Sequence, residues 1–141
     1  MEGSQLSRAD KRLWKRIWWT LFTRDRSVAV ALGRPCCINI DDSDVEMISA
    51  DDFLDDEPDR PADFQTDPIH VQFFLNYVKL CEIMGLILSQ QYSVASKSRP
   101  NALDLTHSDM LLADWLQNCP PEVRWEPHRH HFWSALLHSN Y

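Results

Sequence analysis

KRLWKRIWWTLFTRDR, residues 11–26, holds six basic side chains and three tryptophans in sixteen positions. Such a stretch could lie on a membrane, grip nucleic acid, or form one wall of a helical core. At 100° per residue, Trp14, Ile17, Trp18, Leu21, Phe22, Val28, Ala29 and Leu32 share one face. Lys15, Arg16, Thr20, Thr23 and Arg26 fall mainly on the other. Asp25 stands near the centre of the apolar face, which makes insertion into lipid costly. Binding DNA through the basic face would leave that apolar face in water. A core helix buries it, and each large apolar side chain then contributes about 1.5–3 kcal/mol. The core reading is preferred, and it requires Asp25 to meet an internal cation or several donors.

The rest of the chain extends this reading. Apolar residues recur at helical spacing and only three glycines are present, so the expected fold is all-α. The first helix is predicted over 7–32, with Ser7 as N-cap, Gly33 in the left-handed position after its end, and Pro35 blocking continuation. An acidic loop, 34–67, follows. The second helix, 68–92, has Asp67 as N-cap and Pro68 at its first position, and its apolar residues cover more than one stripe. A third, 106–119, is expected to start at Thr106 with Asp109 completing a capping box and Leu105 and Met110 as a hydrophobic staple. Pro120 and Pro121 end it. The fourth, 127–140, should turn Phe132, Trp133, Leu136 and Leu137 to the core.

The 141 residues suit one domain, and 44% hydrophobic content argues for a folded chain. A net charge of −7 disfavours nucleic-acid binding by the chain as a whole. Charge is unevenly spread: 8 − 2 = +6 over residues 8–34 and 1 − 12 = −11 over residues 41–67, so helix and loop can screen one another. Cys36, Cys37, Cys81 and Cys119 lack zinc-site spacing and read as reduced thiols of an intracellular protein. No signal peptide is evident, and no strictly apolar run is long enough to span a bilayer. His128, His130, His131 and His138 suggest a metal, but no thiolate or carboxylate motif accompanies them, and surface histidines are the preferred reading. The acidic run Asp41, Asp42, Asp44, Glu46, Asp51, Asp52, Asp55, Asp56 and Glu57 lacks the glycine of a calcium loop. It reads as a solvated loop or an acidic interaction surface. No phosphate-binding, hydrolase or metalloprotease motif occurs, so an enzyme is not expected.

One ordered combination is specific: Trp18 and Trp19, then Phe22, then Asp25 and Arg26, a run of small residues, Gly33-Arg34-Pro35, and the Ile/Asp-rich segment from Ile38 to Val45. It resembles the regulatory domain of fungal-specific transcription factors, the middle homology region of xylanolytic-activator type. The later DWLQNCPPEVRW and FWSALLHSNY fit the same pattern, and LWKRIWW with Asp51-Asp52-Phe53 looks most like cutinase and fatty-acid-responsive regulators. The resemblance implies a nuclear regulatory or interaction module that contacts other helices or domains of a transcription factor, or a small-molecule inducer. Its signature residues would be Trp18, Trp19, Phe22, Asp25, Arg26, Gly33, Arg34 and Pro35. Family members bind DNA and zinc through a separate six-cysteine head, which these four cysteines do not match. The chain therefore looks like an internal piece of the family, with no cofactor of its own. Two alternatives stand beside this reading: an amphipathic protein that binds membrane or protein surfaces through residues 11–22, and a fragment without independent function. On a purely structural scaffold, Asp25→Leu is expected to be tolerated.

Overall fold

The computed structural model describes residues 6–54, 66–92, 102–126 and 132–141. Among these residues the protein is all-α, with four helices: α1 (Arg8–Leu32), α2 (Pro68–Tyr92), α3 (Ala102–Gln117) and α4 (Phe132–His138). Two 3-10 turns, Ile40–Asp42 and Ala50–Phe53, shape the stretch between α1 and α2.

Local chemistry sets the ends of α1. Ser7 Oγ accepts the Asp10 N–H at 3.1 Å while the Asp10 carboxylate accepts the Ser7 N–H at 3.3 Å, a reciprocal capping box. At the other end Gly33 is left-handed (φ 60°, ψ 46°). Its N–H reaches the Val30 carbonyl at 3.3 Å and the Arg34 N–H reaches that of Ala29 at 3.0 Å, a Schellman arrangement. Asp67 opens α2 by accepting the Ile69 N–H at 2.8 Å, with Pro68 where no amide hydrogen is needed.

α2 is the central element, packed against α1, α3, α4 and the second 3-10 turn. Its length and composition would suit a membrane crossing, contrary to the expectation that no segment could span a bilayer. Its apolar surface is instead divided among neighbours: Val78, Leu80, Cys81, Met84 and Leu88 are all buried. With Trp19, Phe22, Ile48, Trp115, Cys119, Val123 and Leu137, most of them form one continuous core.

The orientation of α1 differs from the sequence expectation. Its buried residues are Arg12, Trp19, Phe22, Thr23, Arg26 and Ala29. Trp14 and Leu21 are 60% and 56% exposed, whereas Arg26 is 5% exposed. Ile17 and Leu32 are exposed as well. The helix is thus turned by roughly one residue step, about 100°, from the face that hydrophobicity alone selects. Two further expectations change. α3 starts at Ala102 rather than Thr106, leaving Leu105 and Met110 exposed instead of stapled. Phe132 and Leu136 of α4 are exposed, while Leu137 is buried. The loop over 34–67 carries the two ordered turns. Pro127, His128, His130, His131, Asp55, Asp56 and Glu57 lie outside the described residues.

Gly33→Ala should lower stability by about 1–2 kcal/mol in urea unfolding, because a Cβ is disfavoured in this backbone region. The added Cβ would also sit 3.3 Å from Tyr92 Oη. An unchanged midpoint would dismiss this account of the helix end.

Candidate functional site

Asp25 and Arg26 form a buried ion pair, Nη1 to Oδ2 at 3.1 Å, with side chains 9% and 6% exposed. The Asp25 carboxylate also accepts the Cys37 N–H at 3.0 Å and the Ile38 N–H at 2.9 Å. Arg26 Nη1 donates to the Ile38 carbonyl at 2.7 Å. Consecutive residues of one helix thereby bind both polar groups of Ile38, pulling the chain beyond Gly33-Arg34-Pro35 back along α1. The Arg26 guanidinium lies 3.7 Å over the Phe22 ring, a cation–π contact inside the core. It is accommodated because α2 has Gly85 there: a Cβ at that position would stand 3.2 Å from Arg26 Nε.

Around this pair the other signature residues separate into two groups. Trp19 is buried, with its indole N–H on the Glu46 carbonyl at 2.9 Å. Trp18 is half-buried, meets Trp19 edge-on at 4.8 Å and stacks on Phe22 at 5.6 Å. Arg34 and Pro35 are exposed. The structure thus joins Trp18, Trp19, Phe22, Asp25 and Arg26 in one cluster, with Gly33 setting the exit and Arg34 and Pro35 at the surface. Gly85, Ile38 and Lys15 belong to the same arrangement. Nothing in local sequence pattern singles out Gly85, which is one helix residue among apolar neighbours.

The acidic stretch folds against α1. Lys15 Nζ is 2.9 Å from Asp52 Oδ2 and 3.8 Å from a Glu46 carboxylate oxygen, and Arg12 donates to the Leu54 carbonyl at 3.3 Å. Burial alone would raise the Asp52 pKa. The Lys15 ammonium and the Ser49 N–H, which donates at 2.8 Å, outweigh it and hold that pKa below the ordinary aspartate value.

An apolar groove of about 620 Å³ lies on the other side of α1. Leu13, Arg16, Ile17, Thr20 and Leu21 of α1 form one wall. His70, Val71, Phe73 and Phe74 of α2 and Trp133 of α4 form the other, with Phe53 and Thr66 also lining the space. Trp133 is held by His70 and Phe73, with ring centroids at 4.6 and 5.0 Å. A second groove, of about 530 Å³ between α2 and α3, mixes Lys79 with Glu82 and Asp114. The four cysteines do not fit a zinc cluster: Cys37 is exposed, Cys81 and Cys119 are buried, and burial pushes the Cys81 thiol up to about 12. Among the described residues, no three His, Cys, Asp or Glu side chains gather to hold a metal ion.

Two outcomes test the anchor and its flank. Asp25→Ala should cost about 3–5 kcal/mol in urea unfolding, since it strands Arg26 and two backbone N–H groups. Asp25→Asn, which keeps an acceptor oxygen, should cost less, and Asp25→Leu should be destabilising because the backbone donors remain. Equal stability for the alanine variant and the parent would rule out the anchor. For Asp52, the depressed native pKa means its contribution is fully present above the unfolded value of about 3.9 and fades as pH falls through the lower native one. The melting-temperature gap between parent and Asp52→Asn should accordingly be widest above about pH 5 and close below that range. A gap that grows with acidity would contradict the pairing.

The comparisons with known proteins bear on the whole arrangement. The family model described as the fungal specific transcription factor domain matches residues 2–117. The chain is 78% identical over its full length to cutinase transcription factor 1 alpha of Fusarium vanettenii, of which it covers 16%. It is 30% identical, over 99% of its length, to an acetamidase regulatory protein of Aspergillus fumigatus, covering 17% of that protein. It is 32% identical to cutinase transcription factor 1 beta of Fusarium vanettenii over 78% of its length, covering 14% of it. The chain thus spans about a sixth of the length of the first two of these relatives. No solved structure matches it. With the family model matched over residues 2–117, the chain belongs to the fungal specific transcription factor domain family.

Proposed function

We propose that the chain is a regulatory and interaction module of a fungal transcription factor, acting in the nucleus, with residues 1–141 forming a single partial regulatory domain. The observation that carries this reading is the 78% identity, over every residue of the chain, to cutinase transcription factor 1 alpha. By the same likeness, control of a cutinase gene is the proposed role of the whole protein. The chain's own part is to hold other helices or domains of that protein, or an inducer, against the α1 scaffold. DNA and zinc contacts are assigned to regions of the longer relatives beyond this stretch, since these cysteines are dispersed. The proposal includes no catalytic step.

The geometry supports an interaction role. Leu13, Trp14, Ile17 and Leu21 are all exposed on one side of α1, a contiguous apolar surface of the kind that marks contact sites. A membrane would also suit those side chains. The exposed carboxylates of Glu46 and Asp51 beside the same helix oppose an anionic lipid surface.

A tethered reporter tests the reading. The 141-residue chain, placed between a heterologous DNA-binding domain and an activation domain in a fungal cell, should change reporter output several-fold relative to a flexible linker. Asp25→Ala should return output to the linker level. Output equal to the linker control for the parent chain would refute regulation by this module.

A further inference from the structure

The groove beside α1 has three properties that together define its occupant. First, among the described residues no carboxylate lines it, whereas Arg16 and His70 do. Second, Arg16 Nε is buried and has no hydrogen-bond acceptor among the described residues. A buried guanidinium nitrogen without a partner loses its hydration uncompensated, and an incoming carboxylate would restore it through a charge-assisted bond. Third, Leu13, Ile17 and Leu21 recur every four residues along the wall and are 47%, 41% and 56% exposed. At 1.5 Å per residue they extend over about 12 Å, slightly more than two helical turns.

The extent and openness of that wall separate the candidate occupants. A small ligand typically has about 70–90% of its surface enclosed by its pocket, and these half-exposed residues do not enclose one. A second helix laid along the groove covers all three with anchors at i, i+4 and i+7. A second copy of α1 packed through the same face would bring its own Arg16 and Arg24 toward the basic wall, an unfavourable charge match.

We propose that the groove between α1 and the Phe73–Phe74–Trp133 wall is the docking site for an amphipathic helix that carries an acidic residue among its apolar anchors, its carboxylate pairing with Arg16. This deepens the regulatory reading by giving the module a partner of defined chemistry, and it rests on that reading only for its biological role.

The test uses the full 141-residue chain and a fluorescein-labelled synthetic helix of about 18 residues, long enough to cover the wall. The peptide carries leucines at i, i+4 and i+7 and one glutamate beside the middle leucine. A matched peptide has lysine in place of the glutamate. Fluorescence anisotropy should show saturable binding of the glutamate peptide, about tenfold or more weaker for the lysine peptide and for Arg16→Gln, a change of about 1.4 kcal/mol. Ile17→Asp should abolish binding, with far-UV circular dichroism and thermal melting of both variants matching the parent, as expected for partly or largely exposed positions. No binding of the glutamate peptide, equal binding of both peptides, or an unchanged Kd in Arg16→Gln would overturn the proposal. So would sedimentation with anionic vesicles that the glutamate peptide fails to compete, which would assign the face to lipid. Loss of peptide binding with the reporter effect intact would remove the groove alone. Peptide binding without any reporter effect would remove the regulatory reading alone.

Discussion

The buried pair of Asp25 and Arg26 is the constraint on which the rest of the chain's arrangement depends. Removing two charges from water is costly, and their mutual attraction offsets that cost only when the remaining hydrogen-bonding capacity is also used. Here the carboxylate takes two backbone N–H groups from Cys37 and Ile38 and the guanidinium reaches the Ile38 carbonyl, leaving Arg26 Nε as the buried donor without an acceptor among the described residues. The pair therefore does more than neutralise itself. It fixes where the chain goes after α1, and so where the acidic stretch begins its return along the same helix. Trp19 and Lys15 then hold that stretch from the neighbouring turns of α1.

Orientation of the central helix follows from the same place. Arg26 lies flat on Phe22 with α2 close to its other side, and Gly85 leaves the room there. Once that close approach is made, Val78, Cys81 and Met84 meet the aromatic cluster of α1. The far end of the core is closed by Trp115, whose indole N–H reaches the Asn76 carbonyl at 3.0 Å. α2 packs against α1, α3 and α4 through Val78, Leu80, Cys81, Met84 and Leu88, although its composition would permit a membrane crossing.

The sequence was legible where the determining chemistry is local. Ser7 with Asp10, Gly33, and Asp67 with Pro68 mark helix ends because caps act within three or four residues. The all-α class and the need of Asp25 for donors were legible for similar reasons. The buried face of α1 was not. Apolar residues occur nearly all round that helix, so periodicity selected the Trp14–Leu21 side. The choice is made by Arg26, which becomes a core residue through Asp25, Phe22 and Gly85. The last of these lies 59 positions away in the chain, as 85 − 26 gives. The groove was invisible for the same reason, since it is built from the side of α1 assigned to the core. α3 begins at Ala102, earlier than Thr106, and Ala102, Leu103 and Leu105 are good helix formers.

The fit of Arg26 against Gly85 also carries a mechanical consequence. A long planar side chain on one helix and the missing side chain on the other are halves of a single shape, with 3.2 Å between the guanidinium and the place a Cβ would occupy. The halves act together: a Cβ at 85 would press on the guanidinium, and a smaller residue at 26 leaves a void and an unaccompanied Asp25. A change at either site is therefore felt on both helices, since a Cβ at position 85 and the guanidinium of Arg26 would share one space.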